Sequence, residues 1–73
     1  MKKGLKLKIF LAKSKIRKLV WDRLNEPKTA TEVAKDISKH RSSVSRVLLD
    51  MENEGLARCI NPDDKSFRHY VKI

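Results

Sequence analysis

The residues with most chemical promise in this 73-residue chain form one run, Lys39-His40-Arg41-Ser42-Ser43-Val44-Ser45-Arg46. Arg41 and Arg46 carry planar guanidinium forks that can bond bidentately to a guanine edge or reach phosphate. Ser42, Ser43 and Ser45 offer hydroxyls on side chains small enough to let a backbone approach such a partner closely. Taken alone, these would be ordinary solvated helix residues; their value depends on what surrounds them. Catalysis has little to work with. His40, His69, Cys59 and the acids form no grouping of acid, base and nucleophile, and there is no glycine-rich phosphate loop. A lone cysteine with two distant histidines matches no metal-ligand spacing, so no metal, cofactor or enzymatic activity is expected. Cys59 reads as a small buried hydrophobe.

Charge narrows the partner. Eighteen Lys and Arg against nine Asp and Glu give a net +9, which favours nucleic acid first and an anionic membrane surface second. Eight of the basic residues, and no acid, fall between Met1 and Lys18, whereas residues 19–73 are nearly balanced. A second local concentration comprises Lys35, Lys39, Arg41 and Arg46. The run Ile9-Phe10-Leu11-Ala12 is too short for a membrane span or a signal-peptide core, and a single cysteine speaks against a disulfide-stapled secreted domain. The expectation is a soluble intracellular domain, cytoplasmic and associated with the nucleoid, with no membrane partner.

The elements that must position the basic run follow from periodicity. In residues 5–9, Leu5, Leu7 and Ile9 alternate with lysines as in a strand, yet Leu5, Ile9, Ala12, Ile16 and Leu19 also keep helical spacing; both readings stay open. Residues 1–12 are accordingly a basic N-terminal arm or strand, and residues 13–73 the folded domain. A helix is predicted from Ser14 to about Asn25, with Ile16, Leu19, Val20 and Leu24 apolar, Trp21 at the edge of the core and Pro27 as terminator. Thr29-Ala30-Thr31-Glu32 is a capping box opening a short helix over residues 30–37. After the break Ser38-Lys39-His40, Val44, Val47, Leu48 and Met51 define a helix over about 40–54, closed by Gly55. Residues 56–60 and 67–73 then flank an Asn-Pro-Asp turn, a hairpin signature. The fold class is mainly α with a small β-hairpin.

Two helices separated by about three residues, the second basic at its start, form an arrangement that can lay a helix in the DNA major groove. Lys39, Arg41 and Arg46 at that start and Asp50, Glu52 and Glu54 at the end oppose the helix dipole, an order that function explains better than stability. The stretch from Thr29 through Ser42-Ser43-Val44-Ser45-Arg46 to Gly55-Leu56, with Asn61-Pro62 and Arg68-His69-Tyr70, resembles winged helix-turn-helix regulators of the bacterial and archaeal repressor type, nearest to small archaeal members. The resemblance covers residues 14–73. It implies a three-helix core with a two- or three-stranded wing sheet. Arg41, Ser42, Ser43, Ser45 and Arg46 would face the major groove, with Lys39 and His40 beside them. Lys65 and Arg68 would serve a wing over about residues 61–68, on the backbone or in the minor groove.

Two departures stand out. Ser38 and Lys39 replace the glycine and the apolar residue that relatives often carry, which would alter the turn; Asp63 and Asp64 at the wing tip should repel phosphate. The expected partner is double-stranded DNA, with a homodimer possible through the N-terminal arm and Leu49 available to a thymine methyl. A non-specific DNA-coating, chromatin-like protein is one alternative. A winged-helix module that docks on transcription machinery through Leu49 and Trp21 is the other. RNA is less favoured, because none of the four aromatics interleaves with the basic helix.

Overall fold

A computed structural model of the chain describes residues 3–73; Met1 and Lys2, which open the basic segment, lie outside the described residues. Among the described residues the order is α1 (Lys3–Ala12), α2 (Lys15–Asp22), β1 (Lys28–Thr29), α3 (Ala30–Ile37), α4 (Arg41–Asn53), β2 (Ala57–Cys59) and β3 (His69–Lys72). The three strands make one antiparallel sheet in the order β1-β3-β2, with Thr29 opposite His69 and Cys59 opposite Tyr70. The chain is therefore mainly helical with a small sheet. β1 spans only two residues, too few for an alternating pattern to reveal.

The core gathers around α4. Val44, Leu48 and Met51 are fully buried and Val47 nearly so, joined by Val20, Leu24, Val33, Ala34, Leu56 and Tyr70 from the other elements. Two helix ends set the geometry that brings these together. Thr29 accepts from the Glu32 amide at 3.1 Å while Glu32 Oε1 accepts from the Thr29 amide at 2.9 Å, which is the capping box the sequence predicts. At the end of α4, Gly55 takes φ 71°. Its amide bonds to the Glu52 carbonyl and that of Leu56 to the Met51 carbonyl, a Schellman closure. Leu56 and Met51, both fully buried, supply the apolar contact that accompanies it.

The α3–α4 turn has the same form without a glycine. Ser38 sits at φ 56° and ψ 46°, and the Lys39 amide reaches back to the Ala34 carbonyl at 3.0 Å. The substitution thus leaves a left-handed turn in place, with a side chain bearing the strain. Cys59 departs from expectation too: it is half-buried, with Sγ 3.6 Å from Asn61 Oδ1.

The N-terminal arm is a helix, and the strand reading of residues 5–9 does not hold. The stripe that helical spacing picked out holds only at Ile16, which packs against the core: Leu5, Ile9, Ala12 and Leu19 are exposed, while Leu7, Phe10 and Leu11, spaced three and four apart, turn toward the core. Helix α2 also ends sooner than predicted. It stops at Asp22, where the Arg23 and Leu24 amides form tighter bonds to Val20 and Trp21 and the Asn25 side chain donates to the Asp22 carbonyl. Pro27 comes after the helix has already closed.

Arg17 joins three helices. Its guanidinium lies 3.9 Å from the Phe10 ring centroid, donates to the Phe10 carbonyl at 3.3 Å and approaches Asp50 of α4 at 3.7 Å. Lys6 adds a 3.3 Å contact to Glu54. The acids at the end of α4 consequently have a structural role, which the reading from helix-dipole preference had left to function.

Relief of left-handed strain should let Ser38→Gly raise the unfolding free energy by about 0.5–1 kcal/mol, read as a higher urea midpoint. A lower midpoint would show that Ser38 bears no strain. Arg17→Ala removes the cation–π contact and the carbonyl bond together, so amide exchange should quicken across α1 while α3 keeps its protection. Unchanged exchange in α1 would mean that Phe10 alone anchors it.

Candidate functional site

With Val44, Val47, Leu48 and Met51 committed to the core, the other side of α4 faces outward. Arg41, Ser42, Ser43, Arg46 and Leu49 are exposed and Ser45 is half-buried. Lys39 and His40, in the turn before the helix, are exposed as well. His40 occupies the N-cap position, yet its side chain makes no capping bond and the first turn of α4 holds no acid. The amide end of this helix is therefore positive and uncovered by protein carboxylate.

The β2–β3 loop leans toward this face. A cleft of about 170 Å³ separates it from α4, lined by Arg41, Ser45 and Leu49 from the helix, Lys65, Ser66 and Arg68 from the loop, Thr31 from the start of α3, and Tyr70. Arg41, Ser45 and Leu49 follow one another at intervals of four, so they form a single stripe of α4. Of the residues singled out in the sequence, the cleft brings together Arg41, Ser45, Leu49, Lys65 and Arg68. Lys39, His40, Ser42, Ser43 and Arg46 lie exposed outside its lining. Tyr70 and Thr31 were not among the expected contacts: Tyr70 entered only with Arg68-His69-Tyr70 in the wing resemblance and Thr31 only as part of a capping box. Trp21 is half-buried with Lys72 Nζ 4.8 Å from its ring centroid, so it is less available to a partner than its chemistry alone implies.

The loop owes its shape to Asn61 and Asp64. Asn61 Oδ1 accepts from the His69 amide at 2.6 Å and its Nδ2 donates to the Phe67 carbonyl at 2.8 Å, so one side chain bridges both arms. Asp64 Oδ1 accepts from the amides of Ser66 and Phe67, each at 2.9 Å, and the Asp64 carbonyl accepts from Arg68 Nε at 3.3 Å. These amide bonds, with smaller help from His69 and Arg68, hold the Asp64 carboxyl below the ordinary carboxylate range. Asp64, expected only to repel phosphate, is what builds the turn. Burial, with Glu52 and Cys59 adding to it, pushes the Tyr70 phenol above its usual value.

Ion pairs are placed elsewhere. Those among the described residues join Lys6 to Glu54, Arg17 to Asp50, Lys18 to Asp22, Lys28 to Asp36 and, when His69 is protonated, His69 to Glu32. Lys39, Arg41, Arg46, Lys65 and Arg68 enter none of them. The result is a surface of cations and hydroxyls without ion pairs of its own, on which Arg68 is tied to the Asp64 carbonyl and lies near that residue's carboxyl. Among the described residues no group of three or more His, Cys, Asp or Glu gathers to hold a metal ion, and no helix is long and apolar enough to cross a membrane.

The chain matches no protein-family model, no curated protein and no solved structure at a significant level.

Because the Asp64 carboxyl titrates below its unfolded value, its contribution is complete above the ordinary range of roughly pH 4 and is lost as the pH falls through the lowered value. Protection of the Ser66 and Phe67 amides from exchange should disappear in acid, and in Asp64→Ala at neutral pH. Equal protection in parent and variant at neutral pH would show that the turn forms without this carboxylate.

Proposed function

We propose that the chain is a winged helix-turn-helix protein that binds double-stranded DNA as a transcription regulator, with α4 in the major groove and the β2–β3 loop as its wing. One observation supports this most strongly: the cleft between α4 and the loop is lined by Arg41, Lys65 and Arg68, and none of these is committed to a protein carboxylate. Cations that form no ion pair with an internal acid are available to phosphates, which supply a large share of the affinity for DNA. Ser42, Ser45, Arg46 and Leu49 on the outer side of α4 would read base edges, Leu49 by contact with a thymine methyl. Lys39, His40 and the uncapped amides of the first turn would meet a phosphate, as helix N-termini do.

Two consequences follow from α1. Its lysines are partly engaged, Lys6 with Glu54, and the helix is tied down through Arg17 and Phe10, so tight DNA binding would rest less on a freely tracking arm. Leu5 and Ile9 stay exposed on it and are where we place a second copy, which would match a two-fold operator.

The test is anisotropy of a labelled mixed-sequence duplex across a salt series. Log affinity should fall steeply with log salt, each phosphate contact contributing about 0.9 to the slope. Arg41→Ala and Lys65→Ala should each flatten it by roughly that amount, whereas Lys18→Ala, on the far helix, should not. Equal slopes in all four proteins would overturn the assignment of this face.

A further inference from the structure

The setting of Phe67 is unusual for an aromatic. It is 61% exposed, the highest value among the large apolar side chains of the described residues. Solvent exposure commonly goes with a loose backbone, but here the peptide is held on both sides. The Phe67 amide donates to Asp64 Oδ1 at 2.9 Å, and its carbonyl accepts from Asn61 Nδ2 at 2.8 Å with His69 Nδ1 2.9 Å away. Asn61 and Asp64 thus build a rigid turn that offers an apolar ring to solvent.

Its neighbours indicate what the ring meets. Lys65, Ser66 and Arg68 all line the cleft facing α4, while Phe67, in the middle of the same run, does not. Ile60, 46% exposed, lies across the loop on the other arm. A phosphate strand held between α4 and the loop by Arg41, Lys65 and Arg68 would have the major groove on the α4 side. Beyond the loop it would have the adjacent minor groove. An exposed ring outside the cleft's lining, next to these cations, would then meet the minor-groove side, where apolar wedges part stacked base pairs.

Resting on the DNA-binding reading above, we propose that Phe67 is a wedge that enters the minor groove and partly unstacks a base step. The cations fix the wing on the backbone, and the ring then replaces water contact with base contact. Such a residue contributes through burial and through the deformability of the step, so flexible pyrimidine–purine steps would be preferred at this position. Its contribution is independent of counterion release.

That independence makes the idea testable at low salt, where phosphate contacts sustain binding to any sequence. The probe is a mixed-sequence duplex of about two helical turns carrying 2-aminopurine at a TA step. The parent chain should raise the 2-aminopurine fluorescence, as unstacking does. Phe67→Ala should bind about 10- to 100-fold more weakly, with the salt slope unchanged and the signal lost, while Phe67→Trp keeps both. Thermal unfolding should be the same in all three, since the side chain is exposed.

Parent-level affinity in Phe67→Ala, alongside weakened binding by Arg41→Ala, would overturn the wedge and leave the DNA-binding reading standing. No duplex binding by the parent would overturn both. If Phe67→Ala instead converts a sedimenting dimer to monomer with no change in 2-aminopurine signal, the ring serves a protein contact and the wedge is wrong.

Discussion

Burial of Val44, Val47, Leu48 and Met51 fixes how helix α4 is rotated about its own axis, and most of the molecule is arranged around that constraint. A helix with four side chains in the core cannot turn without exposing them, at a cost of roughly 1.5–3 kcal/mol for each. The opposite stripe, Arg41, Ser45 and Leu49, is therefore presented in one direction only. Helix α3 is held against α4 by the left-handed turn at Ser38, and the hairpin is started by the Schellman closure at Gly55. Both turns act on where the outer face of α4 points and where the loop falls beside it.

Charge is divided along the same helix. The acids at the end of α4 receive Arg17 and Lys6, which anchor α1 and α2. The bases at its start receive no protein acid. One helix thus has acids near its C-terminal end that tie it to α1 and α2 and cations near its N-terminal end that enter no ion pair. The same economy operates in the loop, where Asn61 and Asp64 spend their polar atoms on backbone groups, and Lys65, Phe67 and Arg68 are left to face outward.

How much of this could be read from the residues depends on the range of the interactions. The capping box at Thr29, the bounds of α3 and α4, the buried stripe of α4 and the glycine closure are local, set within four or five residues, and the sequence carries them plainly. Helix α1 was ambiguous because Leu5, Leu7 and Ile9 satisfy two periods at once. Its buried side was decided by Arg17 and Phe10, a contact between helices that no spacing reveals. The outward cations were legible from the charge order along α4, but their convergence with Lys65 and Arg68 on one cleft required the loop to be placed. The structural part of Asp64 was hidden for a related reason: its negative charge is plain from the residue type, but the amides it accepts from appear only once the turn is placed. Phe67 carries no signal of its own in the sequence, where it opens a strand-like run; its exposure follows from the turn that Asn61 and Asp64 build.

On the proposed function, the start of α4 and the loop form one surface for duplex DNA, distinct from the surface that packs α1. Backbone amide shift mapping during titration with a duplex separates the two surfaces. Shifts should concentrate at Lys39 to Arg46, Leu49 and Lys65 to Arg68, with Lys6, Arg17, Asp50 and Glu54 unmoved. Shifts centred on α1 and the end of α4, with the loop silent, would contradict that function.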